Sequence, residues 1–381
     1  MAEIRSLTDD ELNEAARMAD AVFRKEGQTS MKRAYPFIFS AAAASCSFGA
    51  FTNDGSLVSF MGLVPWDIRI GEATVHACSL GSVFTLPEAR GQGLASDILQ
   101  HIYRYMRQME APLLFVSGIK SLYARTGCVP FGRMFRFSLH GDAAEAVRGR
   151  ANRPDAAWSI REARADDLYR MHELAAGRQA RYEISVRELG ALIKAEGFAS
   201  NKRQTHRVLL AERNGRTEAF LVVGASDIED RPGLVIEYAG DPQAILRLAA
   251  ESVLSCRLSS LDFAVPWHEC ELADSLRSAG VPASEINHSG AIRIVDGQAL
   301  IRQMQPWLQA RMPQSTAQTL QLTETGNGEW LYTRGEVSRT LSAQETVREI
   351  FDYADGDTKP PAAAREALPV PLPHTVGLCY I

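Results

Sequence analysis

The sequence predicts a mixed α/β protein made by duplication of one domain, followed by a smaller α+β region. Three observations carry that expectation: one order of elements occurs twice, a hairpin signal falls at the same place in each copy, and a strand–glycine loop–helix segment occurs in the first copy alone. The chain has 381 residues, enough for two or three domains. It is 46% hydrophobic and 23% charged, the composition of a globular chain that can bury a core.

The first copy opens with Ile4-Arg5 and then Thr8-Asp9-Asp10-Glu11-Leu12, where Thr8 and Glu11 have the spacing of a capping box. Phe48 to Phe51 and Leu57 to Phe60 flank Asn53-Asp54-Gly55, which reads as a hairpin because such turn residues tolerate positive φ. A strand over His76 to Thr85, a helix over Leu94 to Met109 and an apolar run Leu113 to Val116 follow. The second copy opens with Ile160-Arg161 and Asp166-Asp167-Leu168. Its hairpin is Val208 to Ala211 and Ala219 to Val223 around Asn214-Gly215. A strand over Leu234 to Ala239, a helix over Gln243 to Leu254 and the run Leu261 to Val265 complete it. The polar stretch Asp142 to Ala157 reads as the linker. Expected domains are therefore 1–150, 151–284 and 285–381.

In the third region Ala291 to Asp296 reads as a strand and Gly297 to Gln309 as a helix. Leu320 to Tyr332 reads as a strand pair around Gly326-Asn327-Gly328, and Ser342 with Glu345 as a capping box opening a helix through Tyr353. Pro360, Pro361, Pro369, Pro371 and Pro373 then stiffen the chain before the apolar end, Val376 to Ile381.

Composition excludes several classes. A net charge of −5 gives no basic footprint for nucleic acid. No apolar run approaches the roughly 20 residues that span a bilayer. The start carries no basic region followed by an apolar stretch, so no secretion signal is expected, and cytoplasm is the expected compartment. Six cysteines without a Cys-x-x-Cys pair read as buried thiols. Trp267-His268-Glu269-Cys270 lacks a second ligand pair, so no metal is expected.

The informative segment is Ser82 to Ser96. A strand ends near Thr85, Pro87 stops regular pairing, and Gly91, Gly93 and Ala95 open an amphipathic helix. Amides at a helix start are unpaired and lie at the positive end of its dipole, so a diphosphate docks there if no Cβ blocks it. The segment is neither Gly-x-Gly-x-x-Gly nor a Gly-Lys-Ser/Thr phosphate loop.

Arg90-Gly91-Gln92-Gly93-Leu94-Ala95 resembles the Q/R-x-x-G-x-G/A signature of the GNAT acetyltransferases. With the duplication and the tail, the whole chain resembles the Eis (enhanced intracellular survival) family. That resemblance implies two tandem GNAT-like domains, the second without a working cofactor site, and a sterol-carrier-like third domain. Gly240-Asp241-Pro242-Gln243 stands where the second glycine loop would be, with an aspartate that repels phosphate and a proline that lacks an amide.

The resemblance also implies the chemistry: acetyl-coenzyme A as cosubstrate and a primary amine as acceptor, of aminoglycoside, polyamine or lysine type. Backbone of Val83, Phe84 and Thr85 would hold the acyl and pantetheine arm. Arg90, Gly91, Gln92, Gly93, Leu94, Ala95 and Ser96 would hold the pyrophosphate, and Ser117 and Gly118 would wall the cofactor. Tyr123, in the segment Tyr123 to Gly127, would be the general acid, with Thr126 replacing the usual aromatic. The α-carboxylate of Ile381 would be the general base; an apolar tail draws it inside, where desolvation raises its proton affinity. Family members tend to form hexamers, so a homo-oligomer is expected. Asp20 and Glu26 are acidic candidates for a cationic acceptor, because Tyr380 and not an acid precedes the last residue. His76 and Cys78 are expected on one strand face beside the acceptor, and Lys32 and Arg33 on a solvated face. Two other readings compete: a non-catalytic relative that binds a lipid or a partner, and a transferase of longer acyl chains.

Overall fold

The computed structural model describes residues 2–118, 121–150, 158–287, 290–326, 328–352 and 366–381. Asn327, Tyr353, Pro360, Pro361 and residues 151–157 of the expected linker lie outside them. In the first segment come β1 (Glu3–Ser6), α1 (Asp9–Phe23), α2 (Met31–Ala34), α3 (Pro36–Phe39), β2 (Phe48–Phe51), β3 (Leu57–Ile70), β4 (Ala73–Thr85), α4 (Leu94–Gln108), β5 (Leu113–Ser117), α5 (Ser121–Arg125) and β6 (Val129–Pro130). Next are β7 (Arg133–His140), α6 (Gly141–Arg150), β8 (Ser159–Glu162), α7 (Leu168–Ala176), β9 (Ala180–Tyr182), α8 (Val186–Ala195), α9 (Gly197–Asn201), β10 (Thr205–Arg213), β11 (Arg216–Ala225), β12 (Gly233–Gly240), α10 (Pro242–Ser255), β13 (Ser260–Pro266), α11 (Cys270–Ser278) and β14 (Ala283–Asn287). The last segment holds β15 (Gly290–Ile294), α12 (Gly297–Gln309), α13 (Gln314–Thr319), β16 (Gln321–Glu324), β17 (Trp330–Arg334), β18 (Val337–Leu341) and α14 (Ala343–Phe351).

The chain divides into two compact units. The first comprises Met1–Phe131, His288–Thr375 and Ile381; the second comprises Gly132–Asn287 and Val376–Tyr380. The first unit's strands run in the order β1-β2-β3-β4-β5-β15-β6. Only β4 and β5 pair in parallel; the other neighbours on this path are antiparallel. The second unit's strands, read from the other end, run β8-β10-β11-β12-β13-β7-β14, and only β12 and β13 pair in parallel. The two sheets thus share one pairing pattern. Strand pairing crosses the boundaries read from the sequence: β7, within 1–150, pairs in the second sheet, and β15, within 285–381, pairs in the first. Local pattern tells a segment that it is a strand, not which edge it joins.

The repeat also survives in detail. Arg5 grips Glu11 through two hydrogen bonds, of 2.9 and 2.6 Å, and Arg161 grips Asp167 through two of 2.7 Å, so β1 and β8 each clamp the carboxylate that caps the helical turn following the strand. Glu11 also accepts from the Thr8 amide at 2.8 Å, and Asp167 accepts from the Arg164 amide at 2.7 Å.

Two expectations need correction. The Asp142 to Ala157 stretch is not all linker, because α6 occupies Gly141–Arg150. Ala144 and Val147, one turn apart, are buried in the second core with Ala244 and Leu248 of α10, which two apolar residues in a polar run do not announce. The strand at His76 starts at Ala73, because Gly71, with φ +51, turns β3 into β4 and prolongs the hairpin.

The third region's helix α12 lies on β4: the Gln303 side chain accepts from the His76 amide at 2.9 Å, and Arg311 pairs with Glu72 at 2.6 Å. Trp307 is fully buried there and donates to the Ala367 carbonyl at 2.8 Å. Beyond α12 and α13, β16, β17 and β18 form a three-stranded antiparallel sheet.

Candidate active site

The strands β4 and β5 pair only from Ala77–Leu113 to Leu80–Val116. After Leu80 they part, and β4 continues to Thr85 without β5 beside it. The parting coincides with a bulge. Gly62 opposes Gly81 and Phe60 opposes Phe84, so Ser82 and Val83 face the single residue Met61. Ser82 sits in the left-handed region at φ +54, which is strained for a residue with a Cβ.

The glycine loop follows. Gly91 and Gly93 have φ +78 and +82, so glycine is required there on backbone grounds as well as for access. Nothing lies within 4 Å of the position a Cβ on Gly91 would take. Among the described residues, the amides of Gly91, Gln92, Gly93, Leu94 and Ala95 make no hydrogen bond. Ser96 differs from the rest of the expected set, because its amide donates to the Gly93 carbonyl at 2.9 Å. The Arg90 side chain donates to the Thr85 carbonyl at 3.2 Å and ties the loop back to β4. The Leu94 side chain is buried in the core under α4, leaving its amide outward at the helix start. These five unpaired amides on one concave turn, at the positive end of a 15-residue helix, fit a diphosphate.

The other expected positions lie on β4, at the end of β5 and on α5. Val83 packs against the α4 core. Phe84 is buried with its ring 5.6 Å from Phe60, and its carbonyl accepts from the Ser59 hydroxyl at 3.0 Å. The Thr85 hydroxyl meets the Ser59 hydroxyl at 2.7 Å. Ser117 ends β5, and Gly118 beyond it has φ +93 with open space at its Cβ position. Tyr123 lies on α5 and is 3% exposed; burial, with Cys128 adding to it, pushes its phenol up to about 12, so it is protonated at neutral pH. Gly127, with φ +83, is packed by the Arg293 guanidinium, which donates to the Thr126 carbonyl. The Thr126 hydroxyl donates back into its own turn and accepts from Tyr103 at 3.0 Å, so it holds the α5 turn together.

Ile381 belongs to the first compact unit, although Val376–Tyr380 belong to the second. Within the first unit its carboxyl carbon and Cγ2 lie 2.9 and 2.8 Å from the position a Cβ on Gly81 would take, and Ile38 Cδ1 lies 3.0 Å from it. The opposed glycines Gly62 and Gly81 thus make the room that Ile38 and Ile381 fill. Sequence reading singled out neither glycine; their signal was only that each interrupts an otherwise apolar strand. The Ile381 carboxylate makes no hydrogen bond among the described residues.

Some expected neighbours lie elsewhere. Cys78 is buried in the core under α4, on the face of β4 opposite Gly81, and His76 is exposed and pairs with Asp67 at 3.0 Å. Strand alternation separates both from Ile381. The Asp20 carboxylate is engaged in accepting from the Met31 amide at 2.6 Å, and Glu26 is exposed. Trp66 is buried and edge-on to Phe37 at 5.5 Å. Lys32 reaches Asn13 at 2.7 Å on the exposed side of α2.

In the second unit the matching turn is closed. Asp241 caps α10 by accepting from the Ala244 amide at 2.9 Å, Pro242 occupies the first helical position, and the Asp241 amide donates to the Glu218 carbonyl at 3.0 Å.

Among the described residues no group of His, Cys, Asp and Glu could hold a metal ion, and no helix is long and apolar enough to cross a membrane. No curated protein matches the sequence. Three solved structures share the fold. A GCN5-related N-acetyltransferase from Anabaena variabilis is 12% identical, with a TM-score of 0.62 over 90% of this chain and 85% of that one. A probable N-acyltransferase from Enterococcus faecalis is 13% identical, with a TM-score of 0.62 over 80% and 75%. Eis1 from Mycobacterium abscessus is 12% identical, with a TM-score of 0.57 over 89% and 84%. Residues 3–131 match the family model described as an acetyltransferase (GNAT) domain, a fold that supports acyl transfer from coenzyme A.

Proposed function

We propose that the chain transfers acetyl from acetyl-coenzyme A to a primary amine by direct attack, with the Ile381 carboxylate as general base and Tyr123 as general acid. The observation that carries this reading is the terminal carboxyl group against Gly81, at the point where β4 leaves β5. The amides of Gly91 to Ala95 hold the pyrophosphate, and the backbone from Val83 to Thr85 with Ser117 and Gly118 holds the pantetheine arm.

The acceptor arrives as an ammonium. Its proton passes to the Ile381 carboxylate, which makes no hydrogen bond among the described residues. The free nitrogen lone pair attacks the thioester carbon and the carbon–sulfur bond breaks. A phenol near 12 does not hand its proton outright to an ordinary thiolate of about 8.5, a transfer uphill by about 5 kcal/mol. Tyr123 therefore acts as general acid in a concerted step: its proton moves to the departing sulfur as it takes up the second proton that the attacking nitrogen sheds on becoming an amide, so that neither a free thiolate nor a phenolate is left.

The shared pairing pattern supports reading residues 151–284 as a degenerate GNAT-like copy that scaffolds the first. The likeness to Eis1 supports an Eis-type chain with a sterol-carrier-like third region, and a hexamer belongs to the same reading. The test is coenzyme A release with a panel of aminoglycosides, polyamines and lysine peptides. Turnover on at least one amine is expected, and extension of the chain by one residue past Ile381 abolishes it while acetyl-coenzyme A still binds. Tight cofactor binding without turnover on any amine would overturn the enzyme reading; undiminished turnover after extension would remove Ile381 from it.

A further inference from the structure

We infer that Ser82 binds the acceptor nitrogen directly, as the hydrogen-bond partner that orients it between the Ile381 carboxylate and the thioester. The inference rests on the proposed transfer to an amine and adds a substrate contact to it.

Three observations converge on Ser82. Its hydroxyl oxygen is buried and has no hydrogen-bond partner among the described residues. A buried hydroxyl left unsatisfied is costly, so native structures keep one only where something else meets it. Its backbone is held at φ +54, a conformation that a glycine would adopt without strain. It also directly follows Gly81, whose Cβ position is 2.9 Å from the carboxyl carbon of Ile381, and it sits in the bulge where β4 parts from β5. Strain, an orphan hydroxyl and an orphan carboxylate therefore coincide within one residue of the point where the reacting groups must meet.

The chemistry of the acceptor explains the pairing. A primary ammonium has three N–H donors. One meets the Ile381 carboxylate and is the proton that leaves. A second meets the Ser82 oxygen, which has lone pairs to accept it. After deprotonation the lone pair lies along the N–H that was lost, and the N–H kept on Ser82 is the pivot about which the amine turns that lone pair from Ile381 to the thioester carbon. The charged groups nearby on the packed elements do not duplicate this role: Asp20 is engaged with the Met31 amide. Ser82 neither gains nor loses a proton in the step. The nitrogen loses two protons on its way from ammonium to amide, the first to Ile381 and the second to the departing sulfur by way of Tyr123; the new bond is nitrogen to carbon, and the bond broken is carbon to sulfur.

The test separates this role from a structural one by making the two move in opposite directions. Ser82→Gly relieves the left-handed strain, so its Tm equals or exceeds that of the wild type. Its kcat/KM for the amine falls at least 10-fold, and its KM for acetyl-coenzyme A stays within twofold. Ser82→Ala gives the same kinetic split with the strain retained. If both variants keep wild-type kcat/KM for the amine, or if the loss falls on KM for acetyl-coenzyme A, the inference is overturned. Wild-type turnover is measured first on the same amine: its absence would overturn the proposed function itself, whereas normal wild-type turnover with unaffected variants overturns only the role of Ser82.

Discussion

The start of α4 and the start of α10 stand at the same place in two sheets of one pairing pattern, yet they satisfy their backbone in opposite ways. At α4, two left-handed glycines leave five amides unpaired and a concave space above Gly91. At α10, Asp241 caps the helix with its own carboxylate and Pro242 removes a donor. A side chain added to Gly240 would run into the Glu218 carbonyl, so that loop is pulled down onto β11. One turn is therefore open to an anion and the other has consumed its donors internally, with a fixed negative charge in place of a ligand's. The lesson is that of two turns at matching places one is closed most cheaply at its cap, because an N-cap aspartate favours the helix while it takes the amide that an anion would use.

The strand bulges differ in the same sense. In the first unit the bulge on β4 is entered through Gly81; in the second the register shift on β12 follows Val235. Within the second unit the tail lies at that shift, with Glu237 Oε2 and the Ile236 carbonyl 3.0 and 3.2 Å from the Cβ position of Gly377. Glu237 and Glu269 there share the buried Arg178, each at 2.5 Å, and Tyr380 packs edge-on against Phe198. Burial, opposed by Arg178, raises the Glu237 carboxyl, whereas Arg178 and His268 hold that of Glu269 below its ordinary range in spite of burial.

The largest test of the comparison converts the open turn into the closed one. Gly93→Asp places a carboxylate at the start of α4; acetyl-coenzyme A affinity should fall on the order of 100-fold by calorimetry, and Tm should fall by about a few degrees from the strain of a Cβ at positive φ. Gly81→Ala carries the second unit's occupancy into the first. The added methyl meets Ile381, so turnover should fall about 10-fold or more while cofactor affinity holds, in keeping with the rate cost of a displaced catalytic group. In the other direction, Asp241→Ala should destabilise the chain by about 1 kcal/mol in urea denaturation without changing turnover. Binding should remain at one acetyl-coenzyme A per chain, because Pro242 still lacks an amide; a second equivalent would break the comparison.

The smallest effect concerns what the two units share. Arg5 holds the Glu11 carboxyl down at about 2, and Arg161 holds that of Asp167 below its ordinary range. A depressed carboxylate stabilises the fold above its unfolded pKa, near 4, and that contribution is lost as pH falls through the folded value. Each clamp contributes about 1 kcal/mol after solvent screening. Arg5→Ala and Arg161→Ala should therefore each lower Tm at neutral pH and flatten its fall between about pH 4 and pH 2.

Much of this was legible in the sequence because it is local. The Asn214-Gly215 hairpin, the Thr8–Glu11 and Ser342–Glu345 boxes, and the glycines at 91 and 93 depend on φ preferences and on hydrogen bonds spanning three or four residues. The likeness of the two strand orders was legible because two local patterns recur in order. The α6 helix was not, since two apolar residues in a polar run give no amphipathic signal strong enough to set against a linker.

What the sequence by itself determined is which turn leaves its amides open: glycine or aspartate at a helix start decides that within a few residues. Only the tertiary structure decided what meets at Gly81. That β15 rather than β7 completes the first sheet, that Gly62 and Gly81 face each other, and that Ile381 rests on Gly81 beside the unpartnered hydroxyl of Ser82 are all long-range pairings. They are fixed by register and by burial of the whole chain, and no local preference of the residues involved encodes them.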